Sequence, residues 1–149
     1  MRAVVQRVSS ASVVVEGEVV GAIERGLLVY LGIGAADGEP EVGWMANKLE
    51  GLRIFEDERE KMSLSVRDVA GSVLVVSQFT LYGDVRKGRR PSFDAAMAPE
   101  QANALYERVC AELRARGSNV AQGRFRATMT VRADVEGPVT ILVDSSRAF

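Results

Sequence analysis

Two short polar segments, far apart in the chain, hold groups able to bind and polarise a carbonyl. Ser77-Gln78-Phe79-Thr80-Leu81 closes the apolar run Val73-Leu74-Val75-Val76. It places two hydroxyls and an amide just past a strand end. If the chain turns there, the backbone N–H groups of Phe79 and Thr80 form an oxyanion hole. Thr80 is the obvious nucleophile, but a threonine hydroxyl needs an adjacent base, and none is evident. Thr80 is therefore read as positioning substrate or water; the plain alternative is a β-branched strand residue with a satisfied hydroxyl. The second segment, Gly137-Pro138-Val139-Thr140, interrupts two stretches that otherwise read as strands. Proline lacks a backbone donor and belongs at a turn, edge or bulge, and X-Pro is the one common site of a cis peptide bond. A rigid Gly-Pro corner can aim its carbonyls at a ligand, or it can be an ordinary hairpin turn.

The chain has no histidine. This removes Ser-His-Asp and Cys-His schemes and the common zinc sites. No loop has the carboxylate spacing of a metal site, so neither metal nor cofactor is expected. Carboxylates, hydroxyls, lysine, backbone groups or the substrate itself must carry any reaction. The single cysteine, Cys110, excludes an internal disulfide and fits a reducing compartment. It falls on the apolar face of an expected helix, as a small buried hydrophobe.

The formal net charge is −1, which argues against a polybasic nucleic-acid binder. Charge is unevenly spread, however. Arg86-Lys87-Gly88-Arg89-Arg90 packs four cations into five residues, and Arg114, Arg116, Arg124, Arg126 and Arg132 follow. Acids gather at Glu56-Asp57-Glu58 and between Asp37 and Glu41. The basic loop is either a solvated loop or a surface for modest RNA contact.

At 149 residues, 47% hydrophobic and 26% charged, the chain is expected to form one domain, 1–149, with its own core. No apolar run approaches the roughly 20 residues that span a bilayer. The start reads as a strand rather than a signal peptide, so a cytoplasmic location with no membrane partner is expected.

The elements that must position these residues follow from periodicity. Arg2 to Ser9 reads as a strand leading into Ala11 to Glu16, and Glu16-Gly17-Glu18 as a hairpin connection to Val19-Val20. Gly26 to Ile33 is a central strand buried on both faces. Pro40 opens a helix to Leu49, with Val42, Met45, Ala46 and Leu49 on one face. Arg53-Ile54-Phe55 is a short strand before a charged turn to Lys61, and Ser72 to Ser77 a second buried strand. Residues 82 to 98 read as a long functional loop. Pro99 starts the clearest helix, with a stripe of Ala102, Leu105, Tyr106, Val109, Cys110 and Leu113. Thr128 to Asp134 and Val139 to Asp144 read as strands flanking Gly137-Pro138. The last five residues carry no core signal. Strands outnumber helices, which predicts an α+β fold with a mainly antiparallel or mixed sheet.

The two polar segments also match motifs of the form SQ-x-T-L and GP-x-T, and the chain resembles the D-aminoacyl-tRNA deacylase family. Val5-Gln6-Arg7-Val8, Val15-Glu16-Gly17, Gly26-Leu27-Leu28-Val29, Arg53-Ile54-Phe55, Lys61-Met62, Arg90-Pro91-Ser92-Phe93 and Gly123-Arg124-Phe125 fit in order and spacing. Val135 departs from the pattern, which usually has Asn there. The resemblance implies a small barrel-like sheet with two main helices packed outside, assembled as a homodimer. It implies hydrolysis of the ester of D-aminoacyl-tRNA, and of glycyl-tRNA, as chiral proofreading. Ser77, Gln78, Phe79, Thr80, Gly137 and Pro138 are then the catalytic set, with Gly137-Pro138 reaching into the partner's pocket to exclude an L side chain. Arg7 supports that loop by donating to its carbonyls. Phe125 and Met129 wall the substrate pocket or simply pack, and Lys87, Arg89 and Arg90 contact tRNA. Two other readings stay open: a deacylase of a mischarged L-aminoacyl-tRNA, and a non-catalytic nucleic-acid-binding module.

Overall fold

The computed structural model describes residues 1–149. Its spine is β1 (Arg2–Val15), a strand of 14 residues. The chain returns along one edge of β1 as two strands laid end to end. β2 (Glu18–Ile23) pairs with its C-terminal half and β3 (Gly26–Gly32) with its N-terminal half, both antiparallel. The other edge of β1 carries β8 (Thr130–Asp144), also antiparallel. Beyond β3 the sheet continues in parallel through β6 (Ser72–Ser77) to β7 (Asn119–Gln122). β4 (Phe55–Glu56) and β5 (Met62–Leu64) form a separate small hairpin.

The sheet is mixed and rolls up into a nearly closed barrel. β2 curls over β6 and β7, and Gly21 meets them. A Cβ at that position would press directly on the carbonyl oxygen of Gln122 and sit 3.3 Å from the Leu74 side chain. Only glycine allows that approach.

Period-2 alternation divides the strands between two cores. Leu27, Val29, Leu31, Val73 and Val75 face the helices, while Leu28, Leu74 and Val76 face the other way. β1 and β8 serve both sides. Ala3, Val5, Ile141 and Val143 pack toward the helices; Val13, Val15 and Val131, with Met129 just before β8, pack on the opposite side. The change of face coincides with breaks in β1–β8 pairing. The step from Gln6 to Val8 on β1 spans Thr140 to Val135 on β8, so β8 bulges opposite Arg7.

Helix α1 (Glu39–Gly51) is capped by Glu41, whose carboxylate accepts the Gly38 N–H at 2.7 Å. Helix α2 (Pro99–Ala115) starts on proline and buries Ala102, Tyr106, Val109, Cys110 and Leu113. The Tyr106 hydroxyl donates to the Val75 carbonyl at 2.9 Å, tying the helix to the sheet. Neither helix is long and apolar enough to cross a membrane.

Three local expectations differ from the structure. Gly137-Pro138 lies in a bulge within one continuous strand, not in a turn between two. The short strand expected at Arg53-Ile54-Phe55 runs Phe55–Glu56, set by its pairing with β5. β7 had no periodic signal, because Asn119-Val120-Ala121-Gln122 is half polar and is ordered by pairing with β6.

Candidate active site

The parallel strands β3, β6 and β7 end at one rim of the sheet, and a cavity of about 670 Å³ opens there. Its walls come from Ile33 after β3, Val76 to Phe79 at and just past the end of β6, residues between Phe125 and Val131, and Pro99 and Ala102 at the start of α2. Of the residues singled out above, Ser77, Gln78, Phe79, Phe125 and Met129 line it together. Most of the lining is apolar, with polar groups concentrated on the β6 side, as in small-molecule sites generally.

The chain turns sharply after β6. The Gln78 N–H makes a last strand-like bond to the Leu31 carbonyl at 2.8 Å, and Phe79–Tyr82 then forms a single 3-10 turn. Gly32 and Gly34 make room for it. A Cβ on Gly32 would lie 2.9 Å from the Gln78 carbonyl oxygen, and one on Gly34 would enter the Tyr82 ring. As the first residues of the turn, Phe79 and Thr80 have N–H groups with no intrahelical acceptor. Such groups remain free to donate to a ligand. The Phe79 ring, 56% exposed, meets Phe93 edge-on with centroids 5.0 Å apart.

Thr80 is on the turn but does not line the cavity. Its hydroxyl accepts a hydrogen bond from the Gln78 side-chain amide, and an amide cannot serve as a base. We expect Thr80→Ala to keep a substantial fraction of wild-type activity, within about 10-fold, because only one neutral hydrogen bond is lost. A single-turnover assay checks this; a nucleophilic Thr80 would leave essentially no activity.

Gly137 and Pro138 stand elsewhere. They are exposed, their peptide bond is cis, and Gly137 has φ +117°. Gly137 is six residues along β8 from Val131 at the cavity wall, roughly 20 Å at strand rise. One copy of the chain therefore does not bring the two motifs into one site. Arg7 sits under the bulge, only 7% exposed. Its Nη1 donates to the Ile54 carbonyl at 2.9 Å, rather than to the Gly137 or Pro138 carbonyl. Glu56 and Glu136 flank it at 3.7 and 3.9 Å, and its Nε has no hydrogen-bond partner.

The basic segment is the tip of a loop closed by pairing of Asp84 with Ser92. Arg86 is engaged by Asp84 at 2.5 Å, and hydrogen bonds from Arg86 pull the Asp84 carboxyl down to about 2. Lys87, Arg89 and Arg90 are exposed and form no ion pair. The returning arm delivers Phe93, Ala96 and Met97 to the cavity. These three, with Ile33 and Arg126, were not identified from sequence as lining residues. Their stretches lack periodicity, and their meeting is purely tertiary. Arg126, at φ 64°, is the one charged residue of the lining. Burial pushes the Cys110 thiol up to about 12, so it is an inert packing group. No three His, Cys, Asp or Glu side chains cluster as a metal site.

The chain is similar to known proteins in sequence and in fold. The family model described as D-Tyr-tRNA(Tyr) deacylase matches residues 4–144. A D-aminoacyl-tRNA deacylase of Koribacter versatilis (strain Ellin345) is 63% identical over 149 residues, covering all of both chains. One from Thermotoga petrophila is 60% identical over the same span, again with full coverage of both. Among solved structures, one described as c-Myc DNA Unwinding Element Binding Protein superposes with TM-score 0.92 at 46% identity, covering 97% of this chain and 99% of that one. A structure described as a probable eukaryotic D-amino acid tRNA deacylase shares the fold, with TM-score 0.82 at 24% identity, covering 95% and 97%.

Proposed function

The chain belongs to the D-Tyr-tRNA(Tyr) deacylase family, and from that premise we propose where and how it acts. It is a hydrolase of the ester that joins a D-amino acid to tRNA, a proofreading activity. The site is the cavity at the end of β6, completed by Gly137-Pro138 from a second copy. The observation that carries this reading is the separation of the two motifs. The turn with its free N–H groups lies at the cavity, while the Gly-Pro bulge projects from the same chain well away from it. A homodimer in which each bulge enters the other copy's cavity unites them. β8 has an outer edge unpaired within the chain and exposes Leu142 by 58%, consistent with a surface that meets a partner.

An aminoacyl ester is already activated, so little acid–base machinery is required. Water attacks the ester carbonyl, and the Phe79 and Thr80 N–H groups hold the developing oxyanion. The C–O bond to ribose then breaks. The proton from the attacking water reaches the ribose oxygen, with the neighbouring ribose hydroxyl of the substrate as relay. Free D-amino acid and tRNA leave. Carbonyls of the partner's Gly-Pro segment, set close to the α-carbon, leave room for hydrogen but not for an L side chain. The same exclusion admits glycyl-tRNA. Lys87, Arg89 and Arg90, with Arg126 of the cavity lining, meet phosphates of the acceptor end in this reading. A cytoplasmic location goes with this substrate.

A second reading rests on the basic loop and on the DNA-binding name carried by one structural relative: nucleic-acid binding without catalysis. Matched D-tyrosyl-tRNA and L-tyrosyl-tRNA separate the two. We expect rapid loss of the D-ester alone, unchanged by chelator. Loss of neither ester, with salt-sensitive binding retained, establishes the second reading. Loss of the L-ester places the chain among deacylases of mischarged L-aminoacyl-tRNA.

A further inference from the structure

We propose that Arg2 is a positioning residue for the reaction, holding the far end of the Phe79–Tyr82 turn so that its N–H groups face the ester. The inference rests on the assignment of that turn as the reacting segment. Arg2 does not line the cavity. Its Nε donates to Asp144 at 3.1 Å, and its Nη1 donates to the Leu81 carbonyl at 3.1 Å. Its guanidinium lies over the Tyr82 ring, 4.6 Å from the centroid.

Each contact has a firm footing. The Asp144 side chain is 2% exposed and also accepts from the N–H and hydroxyl of Ser146 at 2.7 and 2.6 Å. The Leu81 carbonyl belongs to the last part of a helical turn, where intrahelical donors run out and a basic side chain is favourable. The Tyr82 ring occupies the space left by Gly34, and its hydroxyl points at Asp37, 3.4 Å away. One planar fork thus couples a buried carboxylate, a carbonyl of the turn and the face of its last ring. A lysine ammonium is a compact charge on a flexible stem and does not reproduce that span.

The sheet does not depend on this side chain. The backbone of Arg2 pairs with Gly32 and Asp144 whatever the side chain is. Truncation therefore frees the turn while leaving its support in place. Small displacements at a reacting centre cost rate rather than binding.

Single- and multiple-turnover deacylation of D-tyrosyl-tRNA by Arg2→Ala and Arg2→Lys tests this, with thermal midpoints measured alongside. We expect kcat to fall at least about 10-fold in Arg2→Ala with KM changed by less than about 2-fold. Arg2→Lys should remain impaired, and low-millimolar guanidinium should restore part of the Arg2→Ala rate. Asp144→Asn should show the same split and add little to Arg2→Ala. A raised KM with unchanged kcat and a shallower salt dependence would make Arg2 a phosphate contact and overturn the proposal. A lowered thermal midpoint with unchanged kcat would overturn it as well, as a purely structural role. Gly32→Ala separates this inference from the site assignment beneath it, since it displaces the turn from the strand side. If Gly32→Ala folds and keeps kcat, the turn is not the reacting segment and both ideas fall. If Gly32→Ala loses kcat while Arg2→Ala does not, the role of Arg2 alone is refuted.

Discussion

Alanine at Gly137 is expected to lower D-aminoacyl-tRNA hydrolysis by about 100-fold or more, the scale of a reacting group misplaced by an ångström. The reason is local. Gly137 has φ +117°, a region L side chains rarely adopt. A Cβ there would fall 2.7 Å from the Val139 side chain, 2.9 Å from its backbone nitrogen and 3.3 Å from Arg7 Nη2. The backbone must move, and the carbonyls that we propose to meet the substrate's α-carbon move with it. The loss should come with a smaller preference for D- over L-tyrosyl-tRNA, because exclusion and alignment use the same atoms. Mixing shows whether the segment acts across copies. Met129→Trp fills the cavity of its own chain but leaves the bulge intact. Remixing it with Gly137→Ala should recover about a quarter of wild-type activity, since half the dimers are mixed and each holds one intact site. No recovery on mixing would place the segment in its own chain's site and refute the shared arrangement.

The second large effect is expected at Arg7. Its side chain is buried in the middle of β1, and its one direct hydrogen bond is to the Ile54 carbonyl. Truncation to alanine leaves that carbonyl without its donor, at about 1–3 kcal/mol, and opens a void beneath the bulge. The Glu56 and Glu136 contacts add little, because both carboxylates are about half exposed and both distances are long. For a chain of this size the sum corresponds to a thermal midpoint lower by about 5–10 °C. We propose that Arg7, whose Nη2 would lie 3.3 Å from a Cβ at Gly137, steadies the bulge from below, so that activity should fall further than stability does. Arg7→Lys should regain much of the midpoint but less of the rate. Wild-type activity in folded Arg7→Ala would show that the bulge keeps its shape unaided.

The parts of the fold legible in sequence are those where burial writes a period. β3 and β6 are buried almost throughout and read as unbroken apolar runs, while α2 repeats one apolar stripe at helical spacing. The cavity was half legible. Ser77, Gln78 and Phe79 end a readable strand, and Phe125 and Met129 sit in a recognisable stretch. Phe93 and Met97 come from a loop with no period, and tertiary folding alone brings them to the same cavity. A bulge was one of the places open to Gly-Pro, but the strands on either side read as separate because Gly-Pro is ordinarily a turn signal. Here a neighbouring strand pairs on both sides of it and carries the chain straight through. Arg2 was invisible for a similar reason: its partners Leu81 and Asp144 are distant in sequence.

The bulge also lets the projecting segment change without disturbing the walls around it. Val131 on one side of it, and Val139 and Ile141 on the other, pack into different cores, and each flank is held to its own face by pairing with β1. A residue added or removed between Val135 and Val139 alters the size of the bulge and leaves both flanks in register. What reaches outward can vary while the frame that carries it stays fixed.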